Sequence, residues 1–420
     1  MNIEEYKRSH IFGMDYGTSM FKYGPITLGE YPEIVENRGY FIDRKSIVYR
    51  LMGVDRDIVV GEELPTYLES KEDLSKLIYP MKNGVVERGD VRAWRVVEEI
   101  TRYGLQNFPL PEDEMGYFLV ASISAVSPRY MYERIFDIFR KIDGGWIHSA
   151  TIIPQPLAVA ISHKIPTCTV IESGHGNTQI CPISRYPIRG AIFALNRGGS
   201  DANSLMAEIL KDAGYGDLAQ EENLVRRVKE EVGLIPRNLD EAIEFAKGNP
   251  EKVRAEVKIP DTRIRIVLEE EAWTRFLPGE YIFNPNHEIF ESYFRRGMSR
   301  PRNLRIGNVT FEGMKSLGDA VAESIERCPV EIQPNLYKNI LLSGGNFSWK
   351  APEGLKPYAV DAVEKMSIQL SEFGIEGIQV FMSSSPQFSV WRGCVLYGYA
   401  VPADYEWSWE IMEGWMKIGT

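Results

Sequence analysis

Two stretches of this 420-residue chain repeat one pattern, and the repeat limits the folds open to it. MDYGTSMFKYGPI begins at Met14 and IESGHGNTQICPI at Ile171. Each reads apolar residue, acid, any residue, glycine, seven further positions, then Pro-Ile. Asp15 therefore aligns with Glu172, Gly17 with Gly174, Pro25 with Pro182 and Ile26 with Ile183. Both copies follow one apolar strand-like run and precede another, which reads as a glycine-rich hairpin. Two equivalent hairpins predict two equivalent domains facing each other across a cleft.

Length agrees, since a chain of this size outgrows one small core. Strand-like runs recur at 10–15, 117–126, 167–172, 338–342 and 377–382. Amphipathic helical patterns lie between them. Residues 129–141 set Met131, Ile135, Ile138 and Phe139 on one face, and 222–232 do the same with Leu224, Val225, Val228 and Val232. The alternation predicts α/β layering.

A formal charge of −11 argues against nucleic acid as a partner, because that contact needs a basic face. No apolar run is long enough to span a bilayer, and the first residues do not form a signal peptide, so a cytoplasmic protein is expected. Cys168, Cys181, Cys328 and Cys394 include no CxxC pair and read as small apolar fillers.

A glycine-rich hairpin suits phosphate binding, because missing side chains let backbone N–H groups approach the oxygens. Gly17, Thr18 and Ser19 supply this in the first copy, with Lys22 on the returning strand. Gly174, His175 and Gly176 form the second loop. Taken singly, each is also readable as a tight turn. Asp15 and Glu172 each end an apolar strand, where an acid is costly without a cation nearby. Magnesium, which prefers oxygen ligands and keeps waters around phosphates, is the expected ion. A third cluster, LLSGGNFSW at 341–349, allows close backbone approach to a flat ligand such as adenosine.

These loops, in this order, resemble the actin superfamily. MDYGTSMFK resembles the first phosphate loop, VIESGHGNTQI the second, and LLSGG the adenosine loop. IIPQPLAVA and QFSVWRGCVLYGYA resemble the two helices that connect the domains, and 77–94 resembles actin outside the nucleotide site. The wording of the loops looks closest to the archaeal actins of the crenactin type. The resemblance implies the two-domain α/β fold shared by actin, Hsp70 and sugar kinases, with duplicated mixed sheets flanked by helices and a nucleotide cleft between the lobes. Domain I would comprise 1–162 plus 389–420, with a small subdomain at about 47–86. Domain II would comprise 163–388, with a small subdomain at about 198–287.

Carried over by residue, the family implies that Asp15 and Glu172 position hydrated Mg2+. Gly17, Thr18, Ser19, Lys22, Gly174, Gly176 and Asn177 would contact the phosphates of ATP or ADP. Gln155 would orient the attacking water. Gly199 and Asp201 would lie over the nucleotide, and Lys229 and Glu230, off the apolar stripe of their helix, would contact adenosine. Ser343, Gly344, Gly345, Asn346 and Trp349 would complete the purine pocket. Glu172 and His175 stand where eukaryotic actin has aspartate, and Gln179 where it has histidine, so His175 or Gln179 is open as an aid to Gln155. The region 50–60 is shorter than the loop with which actin grips the next subunit.

The implied activity is an assembly-stimulated ATPase that polymerises with itself into cytoskeletal filaments, with accessory cytoskeletal proteins as further partners. Two rivals stand beside it. One is a nucleotide-binding scaffold with little turnover. The other is a small-molecule kinase, against which no catalytic aspartate beside a sugar site is recognisable.

Overall fold

A computed structural model describes residues 2–42, 51, 56–69, 74–111, 115–142, 144–259, 264–306 and 309–418. Residues 50 and 52–55 of the shortened stretch at 50–60 lie outside them. The chain divides into two compact units, residues 1–164 with 388–420 and residues 165–387.

The first unit is built on a mixed sheet. Its strands are β1 (Ile11–Tyr16), β2 (Met20–Pro25), β3 (Glu33–Glu36), β4 (Tyr117–Ile123) and β5 (Ile147–Pro154). Their spatial order is β5-β4-β1-β2-β3, and a C-terminal strand, Met416–Lys417, adds antiparallel to β5. β1 runs parallel to β4 and β4 to β5, whereas β1-β2-β3 form an antiparallel meander. Every residue of β1 and β4 is buried, as expected of strands covered on both faces.

Helices Val91–Gln106 and Arg129–Ile142 belong to this unit. Asp90 starts the first by accepting the Ala93 N–H at 2.9 Å. Met131, Ile135, Ile138 and Phe139, the stripe anticipated from spacing, are all buried. Helices Gln155–His163 and Ser389–Ala400 pack on each other. The tail returns to its own unit. Trp415 meets Phe118 edge-on at 5.1 Å and Trp407 meets Phe136 at 4.9 Å.

In the second unit the strands are β6 (Thr167–Ser173), β7 (Thr178–Ser184), β8 (Phe193–Leu195), β9 (Leu304–Ile306), β10 (Val309–Glu312), β11 (Ile340–Ser343) and β12 (Val380–Met382). They run β9-β10-β8-β7-β6-β11-β12. β6 is parallel to β11 and β11 to β12, while β6-β7-β8 is antiparallel. The segment β12-β11-β6-β7-β8 thus repeats β5-β4-β1-β2-β3 strand for strand and direction for direction.

One apolar core of this unit lies against the sheet and includes Ile171, Ile180, Val321 and Leu342. A second gathers Leu205, Ile209, Val228 and Tyr281, from helices Gly199–Asp212, Glu222–Val232 and Leu277–Phe283. Leu224, expected on the buried stripe, packs on this cluster only partly covered. The four cysteines are all buried and unpaired, in keeping with apolar fillers. Among the described residues no helix is long and apolar enough to cross a membrane.

Candidate functional site

The duplicated sheets carry the acids to matching places. In the first hairpin Asp15 pairs across the ladder with Lys22, and Tyr16 with Phe21. In the second, Glu172 pairs with Gln179 and Ser173 with Thr178. Each connection therefore spans four residues, 17–20 and 174–177. The parallel neighbours match too, with Ser122 beside Asp15 and Ser343 beside Glu172.

Asp15 is 1% exposed and its carboxylate receives three donors. Lys22 Nζ lies 2.7 Å from Oδ2, Gln155 Nε2 lies 2.8 Å from Oδ1, and Ser122 Oγ lies 3.3 Å from Oδ1. The cost of burying the acid is offset by an ion pair and two further hydrogen bonds. Gln155, first residue of its helix, also donates to the Tyr16 carbonyl at 3.3 Å. Its NH2 group is thereby engaged, and Oε1 is the atom left to accept.

The loop between β1 and β2 is held by a residue that the sequence did not single out. Asn37, fully buried after β3, donates its side-chain amide to the Gly17 carbonyl at 2.7 Å and its backbone N–H to the Ser19 carbonyl at 2.8 Å. Thr18 Oγ1 accepts the Gly84 N–H at 3.1 Å. That bond joins the loop to the actin-like stretch at 77–94.

In the second unit three loops lock together. Gly199 N–H donates to the Gly174 carbonyl at 2.9 Å, and Ser200 N–H to the His175 carbonyl at 2.8 Å. The Asn346 amide donates to Ser173 Oγ at 3.0 Å and to the Gly174 carbonyl at 2.8 Å. Two glycines permit this closeness. A Cβ on Gly344, whose φ is +101°, would sit 2.1 Å from the Ser173 carbonyl oxygen. One on Gly198 would sit 2.6 Å from the His175 carbonyl oxygen. Gly345, grouped with Gly344 from sequence, has open space around its own Cβ position.

Asp201 caps its helix by accepting the Gly198 N–H at 2.9 Å, and burial raises its pKa. Arg197 is wholly buried and donates to the carbonyls of Ile282 and Gly313, each at 3.1 Å. Burial lowers its pKa to about 10. Gln179 Nε2 reaches Asn177 Oδ1 at 3.2 Å and Glu172 Oε2 at 3.4 Å. Ser343 Oγ donates to the Pro386 carbonyl at 3.1 Å.

Lys229 is buried despite standing off the apolar stripe, because its chain runs toward the Gly199 carbonyl, which Nζ approaches at 3.4 Å. Trp349 fixes the same turn by donating Nε1 to the Lys229 carbonyl at 3.0 Å. Burial lowers the Lys229 pKa to about 8, whereas the neighbouring Glu230 is exposed. His175 is pushed down to about 4, first by burial and then by the charge of Lys229, so its ring is neutral at pH 7.

The donor set tests the expected metal. A carboxylate offers about four lone-pair positions, of which Asp15 has three filled. One is left, enough for a metal-bound water rather than for direct chelation. Among the described residues no group of three or more His, Cys, Asp or Glu is placed to hold a metal. The one free position on Asp15 fits a hydrated Mg2+ held through water.

A hairpin duplicated in sequence, sheet order and register, with an acid at the same rung each time, defines the class of the fold. The Actin family model matches residues 34–398, and the chain belongs to that family. The first hairpin precedes the matched span. The chain is similar to actin-related protein 3 of Saccharomyces cerevisiae, 25% identical over 304 residues that cover 70% of this chain and 61% of the relative. It is also similar to actin-related protein 3 of Dictyostelium discoideum, 25% identical over 353 residues, 79% of this chain and 78% of the relative. The chain thus spans about three fifths of the length of the yeast relative.

Proposed function

We propose that this chain is an ATP-binding, ATP-hydrolysing cytoskeletal protein that polymerises into actin-like filaments, of the archaeal, crenactin type. The observation that carries the reading is the buried Asp15 carboxylate, held by Lys22, Gln155 and Ser122 at the mouth of a glycine-rich hairpin.

Bound Mg2+ would supply charge neutralisation on the phosphates, with Asp15 and Glu172 holding its waters. The loop 17–19, Lys22, and the loop 174–177 would contact the phosphates. Phosphoryl transfer of this kind is catalysed by positioning and by charge stabilisation. Gln155 is too weak a base to take a proton, so its task is orientation. With its NH2 group pinned by Asp15 and Tyr16, its Oε1 accepts a hydrogen bond from the water that attacks the γ-phosphate. Neutral His175 would offer a ring nitrogen as a donor to the phosphates. Gly199, Asp201, Lys229, Glu230, Ser343, Gly344, Gly345, Asn346 and Trp349 would hold the nucleoside. In this reading domain I comprises 1–162 plus 389–420 and domain II comprises 163–388, with small subdomains at about 47–86 and 198–287.

Phosphate release by the purified protein with Mg-ATP, followed across a range of protein concentrations, tests the proposal. Turnover should rise where light scattering reports polymer, and Gln155→Ala should lose most of it. Equal turnover per molecule at every concentration would overturn the assembly-stimulated part. A second reading, a non-polymerising nucleotide-binding scaffold, draws support from the two relatives, both named actin-related proteins. Tight ATP binding without phosphate release or scattering would select it.

A further inference from the structure

Helices Val91–Gln106 and Arg129–Ile142 leave a groove between them, with a cavity of about 140 Å³. From one helix it is lined by Val91, Trp94, Arg95 and Glu98, and from the other by Arg134, Asp137, Ile138 and Lys141. Both sets have the spacing i, i+3, i+4, i+7, so each is one continuous face of its helix. Two such faces normally close on each other with apolar side chains. Here Trp94 and Ile138 form a buried floor, Val91 stands 71% exposed, and the remaining positions are charged.

The charges are unevenly matched. Glu98 is answered by Lys141 at 3.5 Å and Arg102 at 3.6 Å, and Asp137 by Arg140 at 3.0 Å. Arg95 is paired with Asp57 at 3.2 Å. Arg88, which completes the rim, has its guanidinium over the Tyr130 ring at 5.7 Å, and neither it nor Arg134 has a carboxylate partner among the described residues. The lining holds four cations and two acids in a chain of net charge −11. A local excess of positive charge around an apolar floor is therefore set into an acidic molecule.

We propose that this groove docks a short acidic peptide segment of a partner protein, with one apolar side chain seated on Val91, Trp94 and Ile138 and its carboxylates on Arg88 and Arg134. The stripe covers seven helical steps, about 10 Å at helical rise, which three or four extended residues span at about 3.3 Å each. Glu98 and Asp137 on the same rim oppose a continuous phosphate backbone, whereas a peptide can set uncharged residues against them. The overall acidity of the chain repels acidic segments elsewhere, so complementarity at the groove confers specificity as well as attraction. The inference is independent of the nucleotide reading.

A fluorescent twelve-residue peptide of Asp and Glu with one central Leu, titrated with the full chain and read by anisotropy, tests it. Binding should weaken as salt rises. The double variant R88E/R134E should lose at least roughly tenfold in affinity, and V91D a comparable factor. Both sets of side chains are exposed, so unfolding midpoints should match the parent protein. Unchanged affinity in R88E/R134E overturns the proposal, as does unchanged affinity in V91D. A single-stranded oligonucleotide of equal charge that displaces the peptide equally well also overturns it, by showing a general anion patch.

Discussion

Lys22 stands opposite Asp15 across the first hairpin, its Nζ 2.7 Å from Oδ2, and at the matching rung of the second hairpin the neutral Gln179 stands opposite Glu172. The two acids are equivalent by topology but not by charge. The first is neutralised by its own ladder partner. The second has a neutral amide as its ladder partner, 3.4 Å away. The two hairpins thus share a topology and differ in the charge set at the matching rung.

Lys22→Met leaves the Asp15 carboxylate buried with neutral donors alone. Removing one member of a largely buried pair should cost about 2–3 kcal/mol, below the full buried-pair figure because Lys22 is partly exposed. Urea unfolding should show the loss, and ATP affinity measured at a protein concentration where both proteins are folded should fall at least about tenfold.

Gln179→Lys would copy the first hairpin into the second. A lysine there would neutralise Glu172 internally and compete with any external cation. ATP binding by the variant should depend less steeply on Mg2+ than that of the parent. Parallel magnesium titrations check this, and identical magnesium dependence would show that Glu172 does not work with the ion.

Much of this arrangement was legible before the structure. The spacing of acid, glycine and Pro-Ile marked both hairpins, because a hairpin confines its signals to about a dozen neighbouring residues. Strand ends moved by a residue or a few. The β strand expected at 10–15 runs Ile11–Tyr16, and that at 338–342 runs Ile340–Ser343. Ser122 and Asn37 were not legible. Ser122 reaches Asp15 through parallel pairing of strands more than a hundred residues apart, and Asn37 folds back on Gly17 from beyond β3. Neither contact leaves a local pattern. Gly198 went unnoticed beside Gly199 because what it needs is space against the backbone of another loop.

Asn37→Ala removes the amide that holds the Gly17 carbonyl while keeping the backbone bond to Ser19. A buried hydrogen bond of this kind is worth about 1–2 kcal/mol when its partner is left unsatisfied. Stability should fall by that amount. Hydrogen exchange at residues 17–20 should quicken more than at 174–177, the internal control.

His175 ties acid stability to the second loop. Its folded pKa of about 4 lies below the ordinary value of 6.5, so between these limits the unfolded chain binds more protons than the folded one. Stability therefore rises with pH through this window and is lost as pH falls through it, by at most about 1.4 kcal/mol per pH unit from this one group. His175→Gln should flatten the unfolding free energy between pH 4 and 6.5 relative to the parent. An unchanged slope would assign the acid sensitivity elsewhere.

The Lys365–Glu280 pair sets a last test, remote from the hairpins. The two side chains are 7% and 6% exposed and lie 2.8 Å apart, joining helix Ala362–Ser371 to helix Leu277–Phe283. Desolvating both ions cancels much of their attraction, so the pair adds little net stability, but breaking it strands a buried charge. Glu280→Met alone and Lys365→Met alone should each cost about 3–5 kcal/mol. The double replacement Glu280→Met with Lys365→Met should recover most of that loss, because no ion then remains unpaired. Denaturant midpoints of the four proteins form a double-mutant cycle. Single losses that simply add in the double variant would mean that the two groups act independently and that the pair does not organise this part of the second unit.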